Sequence, residues 1–334
     1  MTESGRHAAA EQIRSNDRFC LVTHERPDGD ALGSLLGMNR VLSALGKDSV
    51  MVIDAADLPL APEYAFLDVS EAVTTPPADL AGRAVIYLDC GNVERNPVDL
   101  TGIEHGVVLN IDHHHDNTRF GDVNHVAPQA ACTAEMVWEL AADLGVAVDE
   151  AIGTPLYVGL VTDTGRFMYD NTTPQAHRMA ADLIAAGVDA HGVYRKLYEG
   201  VSMAKLELLG RGLAALELHC NGALAIVHLG REDFEAVGAA DSDAEGIIDH
   251  LRSLKGVKVA AFGRTLDRPG AEGAQQQKVS LRSTDGEVDV SAIARAGGGG
   301  GHRRAAGFST ELAGADLLRF LSEQIELQLA AIAS

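Results

Sequence analysis

Three short apolar runs in the first third of the chain end on residues that a buried strand would not choose for packing. "FCLVTH" (19–24) stops at His24, "AVIYLD" (84–89) at Asp89 and "VVLNID" (107–112) at Asp112, which is followed at once by His113, His114, His115 and Asp116. Elsewhere the apolar period lengthens to that of a helix. "DALGSLLGMNRVLSALG" (30–46) closes on Gly46, and "TAEMVWELAADLG" (133–145) and "DEAIGTPLYVGLVTD" (149–163) read as helices in spite of Pro155. With "SVMVI" (49–53) as a further strand, this alternation predicts an α/β domain whose parallel sheet is covered on both faces. Ligands of such sheets collect beyond the carboxyl ends of the strands, where those imidazoles and carboxylates fall.

The pattern changes past the middle. "HGVYRKLYEGVSMAKLELLGRGLAALEL" (191–218) is a long amphipathic stretch that suits a helical linker. Beyond it come "ALAIVHL" (223–229), "VKVAAFGRT" (257–265), "QQKVSLRS" (276–283), a glycine run, and a last helix from about Ala315. The expected organisation is therefore an N-terminal α/β domain over 1–190, a linker over 191–218 and a smaller α/β domain with a mixed sheet over 219–334. No apolar run approaches the length of a membrane span, and no basic segment followed by an apolar one opens the chain, so neither a membrane partner nor secretion is expected. Four scattered cysteines (Cys20, Cys90, Cys132, Cys220) fit reduced, cytoplasmic usage as small buried hydrophobes, with the adjacency of Cys90 to Asp89 incidental.

The formal charge is −21, which disfavours long duplex nucleic acid, whose binding depends on releasing counterions from many phosphates. The charge is uneven: Lys255 to Arg304 holds nine basic and five acidic residues. An acidic body with one basic segment suits a small anionic ligand or a short oligomer, although ordinary solvated surface would look the same.

"THERPDGDALGS" (23–34) places Asp28 and Asp30 two apart on a turn, where alternate residues can face neighbouring ions. Turn chemistry alone also explains it, with Asp30 as the cap of the following helix. The composite is more telling. Asp28, Asp30, Asp89 and Asp163 (in "LVTDTGRF", 161–168) would repel one another if gathered without countercharge, and divalent cations remove that repulsion. Mixed carboxylate and imidazole donors suit Mn(II) better than Mg(II), which prefers oxygen alone, and admit zinc. In the second half, "AGGGGGH" (296–302) can turn successive N–H groups toward an anion, with a helix after it adding a positive N-terminus and with Arg303 and Arg304 supplying charge; a flexible hinge is the plain alternative. Gly165 and Arg166 likewise read as a turn that could wall a site.

"THERPDGDALGS", "YLDCGN", "DHHHDNTRFGD" and "GLVTDTGRFMYDNTT" resemble, in order, the four motifs of the DHH phosphoesterase superfamily. "KVSLRSTDGEVDVSAIARAGGGGGHRRAAGF" is similar to its DHH-associated C-terminal domain with the GGGH signature. The likeness runs over about residues 10 to 330 and is strongest to NrnA-type enzymes, which cut very short oligonucleotides to mononucleotides and often remove the 3′-phosphate of 3′-phosphoadenosine 5′-phosphate. The resemblance implies two divalent cations, Mn(II) first and Mg(II) second: His24 and Asp28 on one, Asp30, His113 and Asp163 on the other, and Asp89 bridging. It further implies that Asp112 orients a neighbouring ligand and that His114 faces the substrate or leaving group, while His115 lies outside the pattern. Arg282, Ser283, the amides of Gly299, Gly300 and Gly301, His302 and Arg303 would contact substrate. Gly297 and Arg304 depart from residues common at those positions, Phe and Asn.

The function implied is metal-dependent hydrolysis of short oligonucleotides to 5′-monophosphates, with the subunit count left open and a homodimer admitted. A RecJ-like exonuclease would want an extended basic groove with stacking aromatics, and this chain has one Trp. Family II pyrophosphatases lack the GGGH-bearing domain. A cyclic di-AMP phosphodiesterase stays open, because its linear product is a dinucleotide, and so does a non-catalytic nucleotide sensor, which should have lost a ligand.

Overall fold

The computed structural model describes residues 2–96, 104–269 and 275–333. The chain divides into two compact units, Met1–Gly200 and Val201–Ser334.

The first unit runs α1 (Thr2–Ser15), β1 (Arg18–Val22), α2 (Gly29–Ala44), β2 (Asp48–Val52), β3 (Ala84–Leu88), β4 (Val108–Asp112), β5 (Val123–Val126), α3 (Thr133–Asp143), α4 (Glu150–Asp163), α5 (Pro174–Ala185) and α6 (Ala190–Tyr198). Its five strands are all parallel, in the order β2-β1-β3-β4-β5. The order reverses between β1 and β3, so the carboxyl ends of those two strands flank the crevice where such sheets bind ligands. Alternation sorts the side chains: Phe19, Leu21, Ile86, Leu88, Leu109 and Ile111 face the helices, whereas Cys20, Val22, Val85 and Tyr87 face the other way. The sheet is covered on both faces, as expected, but unequally among the described residues: the α-helices of this unit pack in the larger cluster, and the opposite face is closed by Leu80 and Phe120 from connecting segments, with Tyr87 edge-on to Phe120 at 4.9 Å.

Helix α2 is buried nearly all round from Gly29 to Met38 because it lies under α4. Glycines make the close approach possible: a Cβ on Gly33 would stand 2.4 Å from the Pro155 carbonyl, and one on Gly159 would stand 2.8 Å from Asp30 Oδ1. Pro155 sits inside α4 without breaking it. It has no N–H for the carbonyl four residues back, and Arg40 Nη1 donates to that Ala151 oxygen at 2.5 Å instead. Because this seam carries Asp30 on one helix and Asp163 on the other, Gly33→Ala is expected to destabilise by about 1–3 kcal/mol through backbone displacement, read as a lowered urea midpoint at unchanged slope. At the far end of the sheet the buried Arg83 donates to the Phe19 carbonyl at 3.1 Å and pairs with Asp79 and Asp48, tying β1, β2 and β3 together.

The stretch 191–218 is not one helix. Helix α6 ends in the first unit, Gly200 turns the chain at φ +81°, and α7 (Met203–Ala214) begins the second. There follow β6 (Glu217–His219), β7 (Leu224–Leu229), α8 (Arg231–Val237), α9 (Ile247–Arg252), β8 (Val259–Pro269), β9 (Gln275–Ser283), α10 (Val290–Ala296), β10 (Gly300–His302), β11 (Ala305–Thr310) and α11 (Gly314–Ala333). The six strands order as β10-β11-β9-β8-β7-β6, with only β7 and β8 parallel: the mixed sheet expected.

Candidate metal centre

The strand ends deliver the residues the sequence singled out. Past β1, Thr23 donates through Oγ1 to the Leu88 carbonyl at 2.8 Å and pins the ends of β1 and β3 together. The next residue, His24, is buried, and its Nδ1 lies 2.8 Å from the Glu25 carbonyl. A carbonyl only accepts, so Nδ1 carries a proton there and Nε2 is the nitrogen turned inward. Nε2 stands 3.5 Å from Asp89 Oδ2 and 4.0 Å from Asp28 Oδ1.

The two aspartates of the following turn have separate duties. The cap of α2 is Asp28, not Asp30 as the turn-chemistry alternative had it: Asp28 Oδ1 accepts from the N–H groups of Asp30 and Ala31 at 3.1 Å. Asp30, already inside the helix, is buried and reaches across to the start of α3, accepting from Thr133 N at 2.7 Å and Ala134 N at 2.9 Å. Its neighbour Asp89 follows β3 in the left-handed region (φ +58°), a conformation costly for most residues and tolerated by Asp. That turn lets its N–H extend the ladder to Ile111 O at 3.1 Å while the carboxylate swings into the crevice. Thr133 Oγ1 donates to Asp89 Oδ1 at 2.9 Å.

His113, just past β4, points Nε2 at three carboxylates: Asp89 Oδ1 at 3.6 Å, Asp163 Oδ2 at 3.7 Å and Asp30 Oδ2 at 3.9 Å. These exceed hydrogen-bond length, so the groups face a shared space rather than one another. Among the described residues, three sets have donor atoms mutually within 4.8 Å: His24, Asp28 and Asp89; Asp30, His113 and Asp163; Asp89, His113 and His114. Asp89 belongs to two of them, and His113 links the set of Asp30 and Asp163 to one of those two.

Asp112 is fully buried and does not join the carboxylate cluster. Its Oδ1 is 2.7 Å from His114 Nδ1, and its Oδ2 accepts from Asn117 Nδ2 at 2.5 Å. Asn117 also donates to Asn110 Oδ1 at 2.7 Å, so the network orients His114, the second of the pair, rather than His113. His115 and Asp116 are exposed. The Cys90 thiol donates to the Asn92 carbonyl at 3.1 Å and enters none of the three sets.

Asp163 ends α4, and Asn171 Nδ2 holds its Oδ2 at 3.2 Å and its carbonyl at 3.1 Å. The intervening chain doubles back through three consecutive left-handed residues, Gly165, Arg166 and Phe167. Sequence reading missed Thr133, Asn117 and Asn171, because a neutral polar residue at a helix start or in a loop looks like ordinary capping or turn chemistry.

Electrostatics show what the cluster lacks. Burial, then the charges of Asp89 and Asp163, pushes the Asp30 carboxyl well above its usual range. Burial pushes Asp163 up to about 7, with Asp89 and Asp28 adding to it against His113. Burial acts the same way on Asp89, yet contact with His24 and the charges of His113 and His114 outweigh it and hold that carboxyl low. His113 is raised to about 9: burial opposes its charge, but Asp89, Asp163 and Asp30 prevail. Imidazoles alone thus leave two buried carboxylates pushed toward neutrality. Positive charge placed among these oxygen and nitrogen donors would reverse that, which is the fit expected of divalent cations.

The second unit holds the remaining expected residues. Arg282, on β9, lines a cavity of about 390 Å³ together with Arg264, Lys278 and Ser280 and the acidic Asp241, Glu245 and Asp249, Arg264 pairing with Asp241 at 2.6 Å. Ser283 is on the other face, fully buried, and its Oγ accepts from Gly286 N at 3.1 Å; it serves the turn. The glycine run does not precede a helix. It leaves α10 and becomes edge strand β10, because Ala305–Thr310 pairs with β9 as β11. The helix dipole expected after the glycines is therefore absent, and the Gly299 N–H donates to Ala294 O at 2.8 Å, which removes it from the amides offered to an anion. A Cβ on Gly299 would come within 2.2 Å of the Gly307 carbonyl, so close packing accounts for that glycine. Gly300 and Gly301 lie in β10; Arg303 donates to the Gly286 carbonyl at 2.9 Å, and the His302 side chain lies outside those described.

A family model described as the DHH family, N-terminal domain, matches residues 18–188, and one described as the DHHA1 domain matches residues 234–330. The chain belongs to the DHH family. This DHH protein is 37% identical over 300 residues to the bifunctional oligoribonuclease and PAP phosphatase NrnA of Thermus thermophilus, covering 89% of this chain and 85% of that one. It is 29% identical over 298 residues to the protein of the same name from Bacillus subtilis, covering 88% and 89%. In structure it is similar to an exopolyphosphatase-related protein from Bacteroides fragilis, with a TM-score of 0.85 at 22% identity over 99% of this chain and 98% of that one. No helix among the described residues is long and apolar enough to cross a membrane.

Proposed function

We propose that this chain hydrolyses short oligonucleotides to nucleoside 5′-monophosphates and removes the 3′-phosphate of 3′-phosphoadenosine 5′-phosphate. The observation that carries the reading is the sharing of Asp89 between a His24–Asp28 set and a set with His113, beside Asp30 and Asp163. That arrangement has the ligand count and charge for two divalent cations, and mixed imidazole and carboxylate donors favour Mn(II) over Mg(II). When bound, the cations would supply Lewis acidity toward a phosphoryl oxygen and lower the pKa of an attacking water.

The chain's own residues do the rest. His24 presents Nε2 because Glu25 holds Nδ1. Asp112 holds Nδ1 of His114, so Nε2 is the nitrogen that serves a departing 3′-oxygen. In the second unit, the resemblance gives Arg282, Gly300, Gly301, His302 and Arg303 as substrate contacts, and Arg282 lines a cavity of mixed charge. The −21 charge restricts substrates to short ones. The names of the two NrnA relatives support both activities.

The test is a panel of two- to five-nucleotide RNAs, 3′-phosphoadenosine 5′-phosphate and cyclic di-AMP, each incubated with purified protein in Mn(II) or in EDTA. Mononucleotide release from the short RNAs, abolished by EDTA, is expected. A protein that leaves both a dinucleotide and 3′-phosphoadenosine 5′-phosphate intact in Mn(II) refutes the assignment.

A further inference from the structure

We propose that Thr133 is a positioning residue of the metal centre, its hydroxyl fixing Asp89 while its backbone N–H fixes Asp30. The inference rests on the two-cation reading above and extends it to a residue outside the motifs. Thr133 is fully buried as the first residue of α3. Its Oγ1 donates to Asp89 Oδ1 at 2.9 Å, its N–H to Asp30 Oδ2 at 2.7 Å, and the N–H of Ala134 to Asp30 Oδ1 at 2.9 Å. Asp30 and Asp89 come from different elements and repel, so a single rigid residue that grips both sets how far apart they stand.

The local structure is unusual for a helix start. A start normally satisfies its own first N–H groups with the cap side chain. Here the cap is Cys132, whose sulfur, a weak acceptor, takes only Glu135 N at 3.4 Å. The N–H groups of Thr133 and Ala134 go to Asp30 instead, and the positive end of α3 is directed at that carboxylate. At the first position of a helix no helical carbonyl lies one turn back for the hydroxyl to take, and that of Thr133 bonds a carboxylate 44 residues away in sequence. Branching at Cβ restricts its rotamer and keeps the hydroxyl on that oxygen. With one Asp89 oxygen so engaged and the other facing His24, the carboxylate is held in the orientation that spans the two donor sets.

Thr133→Val keeps shape and both backbone bonds but removes the hydroxyl; Thr133→Ser restores it. Full-length, metal-free protein is titrated with Mn(II), with electron paramagnetic resonance reading both the free ion and the spin-coupled pair. Wild type is expected to take up two equivalents with a coupled signal. Thr133→Val should bind at least one equivalent about 10- to 100-fold more weakly and lose much of the coupled signal, with the circular dichroism of the metal-free protein unchanged. Thr133→Ser should match wild type. Valine and wild-type proteins with the same affinities, or a serine variant as weak as the valine one, overturn the inference while leaving the two-cation reading intact. Wild-type protein that binds no Mn(II) overturns both.

Discussion

Asp89→Asn should cost at least about a thousandfold in kcat, because several kcal/mol of Lewis-acid stabilisation depend on that carboxylate and each 1.36 kcal/mol is a factor of ten. Asparagine is the informative replacement. It has nearly the same shape and is among the few residues that accept the left-handed conformation Asp89 holds at φ +58°, so the fold should survive. What is lost is the negative charge faced by His24 and shared by His113 and His114. Mn(II) uptake should fall in parallel, while circular dichroism stays that of the parent. A variant that keeps activity within about tenfold of the parent would remove Asp89 from the centre of the mechanism. Retained nucleotide binding together with lost turnover would separate a crippled enzyme from a sensor.

The second large effect concerns His125, far from any expected role. It lies in β5, is 2% exposed, and neither ring nitrogen has a hydrogen-bond partner among the described residues. Burial, reinforced by the Arg6 charge, pulls its pKa from 6.5 to about 4, with Asp143 opposing. The folded protein therefore holds this ring neutral through a window where the unfolded chain protonates it. Below about pH 6.5 the unfolded state binds the extra proton, so stability falls as pH drops and the loss levels off below about pH 4. At pH 4.5 the loss attributable to this ring is about 2–3 kcal/mol relative to pH 7.5. The carboxylates of the metal centre titrate in the same range with the opposite sign where their pKa is raised, so the quantity to measure is a difference. Urea unfolding of the parent and of His125→Leu at both pH values should show the variant gaining that amount on the parent in acid. A pH-independent difference would mean that the ring is solvated or paired.

The strand-end residues were legible because chemistry and period coincide. His24, Asp89 and Asp112 each stand where an apolar run stops, and nothing in packing asks for charge there. Their helpers were not legible. Thr133 opens "TAEMVW", and only folding reveals that its hydroxyl serves Asp89 and its N–H serves Asp30, 103 residues earlier. The glycine run shows the same limit from the other side. "RRAAGFST" has an alanine-rich start that suits a helix and a later alternation that suits a strand; pairing of Ala305–Thr310 with β9 decides the matter, and that is a tertiary event. Asp28 and Asp30 were legible as a pair yet not in their parts. Turn chemistry predicts that one of them caps α2, and only the start of α3 shows that the other is engaged elsewhere. The one-sided helical cover of the first sheet was likewise hidden, since alternation fixes which residues point each way but not what meets them.

The glycine seam between α2 and α4 reaches as far as Asp30 itself, against which Gly159 has no room for a methyl group. At Gly33 main chain meets main chain, and at Gly159 it meets the Asp30 carboxylate, with no long side chain in between to absorb a change. The position of Asp30 is therefore welded rather than sprung: a change in how that carboxylate stands has to arise in the groups that grip it, because the frame beneath offers no intermediate settings.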